Sequence, residues 1–311
     1  MSRIIFLSPF ARSEITGGIK IAYRHAELLA QSGFDAFIWQ PEGKPAWFES
    51  TARTLIEPRF FPLPSDVLVF PETINGVLAE LVQADLPVRK VLYCQNHYYA
   101  LFNSIAPERL AGLGFAAIAC QSDIAKTFLE RVLHLKEVKI VPCAIDTDQF
   151  RPRHKRIQIA LTPRKLPRES ATIHRIFRLK YPALASTPWL AIENRSEDET
   201  AEMLGDSAIL LSLPFLESFG LVALEAMACG AVVAGFDGYG GREYATAENG
   251  IWLPPDHLEE AADALALLIQ KFTRSDPEIA RMRDAGFATV ARYSKDKART
   301  ALLDFYTPLV G

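Results

Sequence analysis

Glu217 and Glu225 stand eight residues apart in a stretch otherwise nearly free of charge, and two carboxylates so placed could hold a polyol. From Ser218 to Phe236 the only charged side chain is Glu225, so the helix carrying it is apolar on every face and must be largely buried. A buried carboxylate is costly unless hydrogen-bond donors meet it. The hydroxyls of a sugar ring or a ribose are such donors. Glu217 follows the apolar run from Ser207 to Leu213, which reads as a buried strand, and ligands of open α/β sheets gather beyond the carboxyl ends of strands. Phe219, Gly220 and Leu221 open the helix, where free backbone N–H groups and the positive dipole end favour a phosphate. Ser218 is expected to cap that start.

These residues lie inside a longer pattern. Pro214 to Gly230 reads P-x-x-E-S-F-G-L-x-x-x-E-A-M-A-x-G, and Gly240-Gly241-Arg242-Glu243 and Glu248-Asn249-Gly250 to Pro255 continue it. The run resembles the GT-B glycosyltransferases, in particular the retaining family 4 or "group 1" enzymes. The resemblance implies an α/β chain of two Rossmann-like domains facing across a cleft that holds the active site. It implies that Glu217 holds donor-sugar hydroxyls, that Glu225 holds the ribose, and that the start at Ser218, Phe219, Gly220 and Leu221 serves the donor.

The elements that must position these groups follow from hydrophobic runs and their breaks. Arg3 to Ser8 reads as a strand, Ile19 to Ser32 as a helix ended by Gly33, and Phe34 to Trp39 as a second strand. Gly17 and Gly18 precede that helix, where glycine lets backbone approach a diphosphate closely; the family keeps a glycine-rich loop there. Pro41 to Pro64 reads as an irregular surface excursion. Strands are expected over Ser65 to Phe70, Val88 to Cys94 and Phe115 to Cys120, with helices near Gly76 to Gln83 and Asp123 to Leu133. The second of these strands runs into Gln95-Asn96-His97-Tyr98-Tyr99. The resemblance puts His97 beside the transferred sugar; with no carboxylate nearby in the chain to tune it as a base, it is expected to position the sugar.

Val138 to Pro152 resembles the family's hinge segment, with Cys143-Ala144 in place of Asn-Gly, so the domains are expected at 1-150 and 151-311, the last helix returning to the first. From Arg151 to Lys180 there are ten Lys or Arg residues and one acid, Glu169, a local surplus that fits a phosphate partner. After the strand Ile157 to Leu161, Arg164 matches the family's arginine, but Glu169 stands where the family has its lysine. Lys165 or Arg168 must then complete a diphosphate clamp. Further strand and helix are expected over Trp189 to Ile192, Ser196 to Met203, Leu258 to Lys271 and Ala298 to Tyr306.

At 311 residues, two domains are the natural expectation, and 49% apolar with 23% charged residues is ordinary for a globular protein. A net charge of −3 gives no global field for nucleic acid. Cys94, Cys120, Cys143 and Cys229 lie far apart in apolar runs and read as reduced thiols of a cytoplasmic protein. The start is too short in apolar residues for a signal peptide, and no run approaches the length of a membrane span. Asp146-Thr147-Asp148 spells D-x-D, a signature by which another glycosyltransferase fold holds a divalent cation. Basic residues surround it, and Asp146 is expected to brace the linker, with no metal and no cofactor. The reading is a retaining, metal-independent transferase moving sugar from a nucleotide diphosphate sugar to an acceptor (a saccharide, a lipid-linked or a small molecule), with peripheral membrane contact left open. An inactive nucleotide-sugar binding module and a GT-B epimerase or phosphorylase are the alternatives.

Overall fold

The computed structural model describes residues 2–59 and 61–310. The chain forms two compact units, Met1–Ala144 with Lys295–Gly311, and Ile145–Ser294. The link therefore falls at Ala144–Ile145, a few residues ahead of the expected boundary at 150.

The first unit begins with β1 (Arg3–Leu7), α1 (Gly17–Gln31), β2 (Asp35–Trp39), β3 (Arg53–Leu55), β4 (Val67–Pro71), α2 (Val77–Gln83), β5 (Arg89–Cys94), β6 (Ala117–Cys120), α3 (Asp123–Arg131) and β7 (Lys139–Ile140). Its strands form one parallel sheet in the order β3-β2-β1-β4-β5-β6-β7. Ile4, Ile5, Val67, Leu68, Val91 and Leu92 are at most 1% exposed, as the interior strands of a sheet covered on both faces require. The strand β3 corrects the reading of 41–64 as wholly irregular. It pairs on one side only, with β2, and Arg53 lies over the Phe37 ring at 4.1 Å and pairs with Asp35 at 2.7 Å. A three-residue, half-polar edge strand carries no apolar run to betray it.

The second unit holds β8 (Arg156–Leu161), α4 (Pro167–Lys180), β9 (Trp189–Ala191), α5 (Glu197–Asp206), β10 (Ser207–Ser212), α6 (Leu221–Ala228), β11 (Val232–Phe236), β12 (Gly250–Leu253), α7 (Leu258–Thr273) and α8 (Pro277–Val290). Its parallel sheet runs β12-β11-β10-β8-β9. Every residue of β10 and of β11 is buried, and α5, which leads into β10, opens on a reciprocal cap. In that cap Glu199 N donates to Ser196 Oγ at 3.1 Å and Ser196 N donates to Glu199 Oε2 at 2.9 Å.

The chain closes with α9 (Lys295–Val310), which belongs to the first unit: it packs on α1, and Tyr306 meets Phe6 edge-on at 6.0 Å between ring centroids. Among the described residues no helix is long and apolar enough to cross a membrane. All four cysteines are buried free thiols, and burial pushes Cys120 and Cys229 up to about 12.

Both sheets contain a place where the strand order reverses. In the first unit it lies between β1 and β4, in the second between β8 and β10. The loops leaving adjacent strands diverge there and open a crevice at the carboxyl edge.

Candidate active site

In the second unit the loops after β8 and β10 bring Lys165 and Glu217 into a direct ion pair. Lys165 ends a short 3-10 turn, Pro163–Lys165, and its Nζ also reaches the Phe215 carbonyl at 3.5 Å. The side chains of the pair are 19% and 27% exposed, so a ligand can reach both. Arg164 lies exposed on the same turn, and Arg168 is exposed at the start of α4. Of the two candidates for the missing lysine, Lys165 is the one joined to Glu217.

The backbone of Glu217 is fixed from the other side. Its N–H donates to the Gly238 carbonyl at 3.2 Å, and its own carbonyl accepts from Gly240 N at 2.9 Å, a one-residue parallel bridge to Tyr239. Gly240 lies so close to this loop that a Cβ there would overlap the Ser218 carbonyl carbon and the Phe219 nitrogen. Both are backbone atoms, so the loop itself would have to move. Gly240→Ala is expected to cost about 1–3 kcal/mol of stability and to weaken ligand binding at Glu217. Paired denaturation and ligand titration check this, and a variant with wild-type values in both would show that the bridge does not fix Glu217.

The helix after Glu217 starts later than the sequence suggests. Gly220, in left-handed backbone with φ 86°, is the N-cap of α6, so the cap falls two residues beyond Ser218, where the sequence suggested it. The reason is packing: Ser218 and Phe219 are 1% exposed and part of the interior. The Phe219 ring stands edge-on to Tyr244 at 5.6 Å and to Tyr293 at 5.0 Å. Tyr244 Oη then donates to the Gly220 carbonyl at 2.7 Å, anchoring the turn. The phenylalanine therefore fills the core, and the helix start offered to a ligand is the half-buried Gly220 and Leu221. Glu225 sits in the second turn of α6 and is only 5% exposed, in a helix whose other side chains are all apolar.

In the first unit Gly17 and Gly18 are the opening residues of α1 itself, not a loop before it. Thr16 precedes them in extended backbone without capping through its side chain, and the first turn holds no acid. This leaves a helix start suited to an anion. His97 is 1% exposed and stacks on Tyr98 at 4.1 Å and on Phe128 at 4.5 Å between centroids. Glu72, directly after β4, was not singled out by sequence reasoning. Its carboxylate accepts Gln95 N at 2.9 Å and Asn96 N at 3.0 Å. The Gln95 side chain in turn donates to the Gly18 carbonyl at 3.0 Å, and its own carbonyl accepts from the Gln121 side chain. The usable signal was the one that drew attention to Glu217: an acid at the carboxyl end of a buried strand.

Three buried groups of this unit set a pH response. Burial lowers His25 and His97 to about 4 and raises Glu72 to about 7, against three backbone donors that pull Glu72 down. Each histidine takes a proton in the unfolded chain below about pH 6.5 that the folded chain refuses. Its share of stability is full above that pH and is lost as pH falls toward 4. Glu72 acts in reverse. The folded chain keeps a proton that the unfolded chain loses above about pH 4.5, so its share is full below that and is lost as pH rises toward 7. Two histidines against one glutamate leave stability rising with pH between roughly pH 4.5 and 6.5. Urea midpoints are expected to be higher near pH 6.5 than near pH 5; the opposite order would contradict neutral, buried histidines.

Residues 190–286 match the family model described as "Glycosyl transferases group 1". The second unit thus carries a group 1 glycosyl transferase domain, and the chain has the GT-B glycosyltransferase fold. An α-1,6-glucosyltransferase of Actinobacillus pleuropneumoniae serotype 7 (strain AP76) is 26% identical over 237 residues, 74% of this chain and 72% of that protein. Among solved structures, a sucrose-phosphate synthase of Thermosynechococcus elongatus superposes with TM-score 0.74 at 14% identity, covering 99% of each chain. A mutant S. aureus TarM in complex with fondaparinux, alpha-GlcNAc-glycerol and UDP gives TM-score 0.62 at 13% identity, covering 80% of this chain and 56% of that one.

Proposed function

We propose that the chain is a retaining, metal-independent glycosyltransferase that moves a sugar from a nucleotide diphosphate sugar to an acceptor. The observation that carries this reading is the accessible Lys165–Glu217 pair at the strand-order reversal of the second unit, with the buried Glu225 carboxylate on the helix that follows. Glu217 is assigned to hydroxyls of the donor sugar and Glu225 to the ribose. As the bond from the sugar to the diphosphate breaks, the leaving group gathers negative charge. Lys165, Arg164 and the helix start at Gly220–Leu221 are assigned to stabilise it. His97, which burial keeps neutral, is assigned to position the sugar, and neither it nor Glu217 is assigned as a covalent nucleophile.

UDP-glucose is the first donor to test, because one relative is a glucosyltransferase and one structural neighbour is described with UDP. Four buried thiols fit a cytoplasmic setting. A thermal-shift series with UDP-, GDP-, ADP- and dTDP-sugars tests the donor class, since a ligand at about 100 times its dissociation constant adds about 2.7 kcal/mol of stability. One nucleotide should stand out, and no shift with any of them would refute the reading. A chain that binds the donor but never releases its diphosphate would be an inactive binding module. Free nucleotide with an altered, untransferred sugar would mark an epimerase or phosphorylase.

The D-x-D sequence is assigned to structure. Asp146 Oδ1 accepts the Asp148 backbone N–H at 3.1 Å, and the Asp146 carbonyl accepts Phe150 N at 2.8 Å, so the first aspartate braces the turn that opens the second unit. Activity is expected to persist in excess EDTA, and Asp148→Ala to change turnover less than about twofold, as surface substitutions away from a site do. Silencing by EDTA with recovery in manganese would contradict both.

A further inference from the structure

The loop that carries His97 and the start of α1 are tied to a single buried carboxylate. Glu72 leaves β4 at the strand-order reversal of the first sheet, and its residue is 6% exposed. Each of its oxygens takes one of two consecutive amides, Asn96 N on Oε1 and Gln95 N on Oε2. Those two residues precede His97. Gln95 carries the connection onward: its amide side chain donates to the Gly18 carbonyl in the first turn of α1, and its carbonyl is held by Gln121 after β6. The far side of Glu72 is also secured, since Asn103 donates to the Glu72 carbonyl at 2.7 Å and accepts from Ile74 N at 2.8 Å. The carboxylate therefore does not end in its own loop. It joins three strand-end loops and a helix start.

We propose that Glu72 is a positioning residue for sugar transfer, its carboxylate fixing the Gln95–Asn96 backbone so that His97 and the Gly17–Gly18 helix start keep one set place. This rests on the function proposed above. A neutral amide at position 72 presents an NH2 group to one of the two backbone N–H donors, so one of the two bonds must break while shape and volume stay the same. A displacement of the order of 1 Å in a group that orients substrate can cost up to about a hundredfold in rate. The nucleotide is assigned to the second unit, so its affinity should not follow.

The test uses the full chain at pH 8, above the value of about 7 to which burial raises Glu72, and whichever of UDP-, GDP-, ADP- and dTDP-glucose the wild type hydrolyses fastest. For Glu72→Gln, kcat is expected to fall at least about tenfold, with the KM for that nucleotide sugar and the Kd for its nucleoside diphosphate within about twofold of wild type. Amide hydrogen exchange should quicken in the segment 93–99 and stay as in wild type across β1, β4 and α3. Glu72→Asp keeps the charge with a shorter reach and should recover part of kcat; if the glutamine variant does not fold, the aspartate variant takes its place in the same comparison. An unchanged kcat, unchanged exchange in 93–99, or faster exchange throughout the unit would each overturn the proposal. A wild-type chain that hydrolyses none of the four donors refutes the transferase reading and this one with it. An active wild type with an indifferent Glu72→Gln refutes this one alone.

Discussion

Replacing Glu225 by alanine is expected to weaken binding of the nucleoside diphosphate about ten- to a hundredfold and to leave the fold intact. The expectation follows from where the carboxylate sits. It is 5% exposed, on a helix whose other side chains are all apolar, and a charged hydrogen bond to ribose hydroxyls contributes about 1.5–3 kcal/mol. At about 1.4 kcal/mol per factor of ten, that is one to two powers of ten in affinity. Alanine is the better helix former, so the helix itself gains. Calorimetric titration of wild type and variant decides the matter, and an unchanged dissociation constant would remove Glu225 from the nucleotide site.

Glu217→Gln should behave differently. Glu217 is assigned to the sugar, so turnover is expected to fall about a hundred- to a thousandfold, the range typical for a lost hydrogen-bonding group that acts on the transition state. Affinity for the bare nucleoside diphosphate should hold or rise. The ion pair gives the physical reason: in the free protein Lys165 is bound to Glu217, and a neutral glutamine releases it for the diphosphate. The fold stays in place because the Glu217 backbone, bridged to Gly238 and Gly240, does not depend on the carboxylate. If Glu217→Gln and Glu225→Ala lost the same affinity for the bare diphosphate, the division of labour between the two glutamates would be wrong.

The central strands were legible because a parallel sheet covered on both faces needs unbroken apolar runs, and Arg3–Leu7, Val67–Pro71 and Ser207–Ser212 supply them. Helix starts were less legible. The sequence places Gly17–Gly18 before α1 and Ser218 at the cap of α6, whereas the glycines lie inside the helix and Ser218 is drawn into the core with Phe219. Local cap rules lost there to tertiary packing of an aromatic side chain. Edge strand β3 escaped because three residues with one aliphatic side chain hold no periodicity. The motif around Glu217 could be read at once, but its partner Lys165 could be named only as one of two choices, since nothing in the spacing says which cation a loop will turn inward. Glu72 was hidden more deeply. Its partners, Gln95 and Asn96, lie 23 and 24 residues away, and only the sheet order brings β4 and β5 side by side.

The most direct measurement is proton NMR of the purified chain incubated with UDP-glucose and, in parallel, its GDP, ADP and dTDP counterparts. With one of them the nucleoside diphosphate should be released, and the sugar should appear first in the α configuration of the donor, whether passed to an added acceptor or to water. Release of the β anomer first would contradict retention, and four donors left intact would contradict the assignment of Glu217, Glu225 and Lys165 to a nucleotide-sugar site.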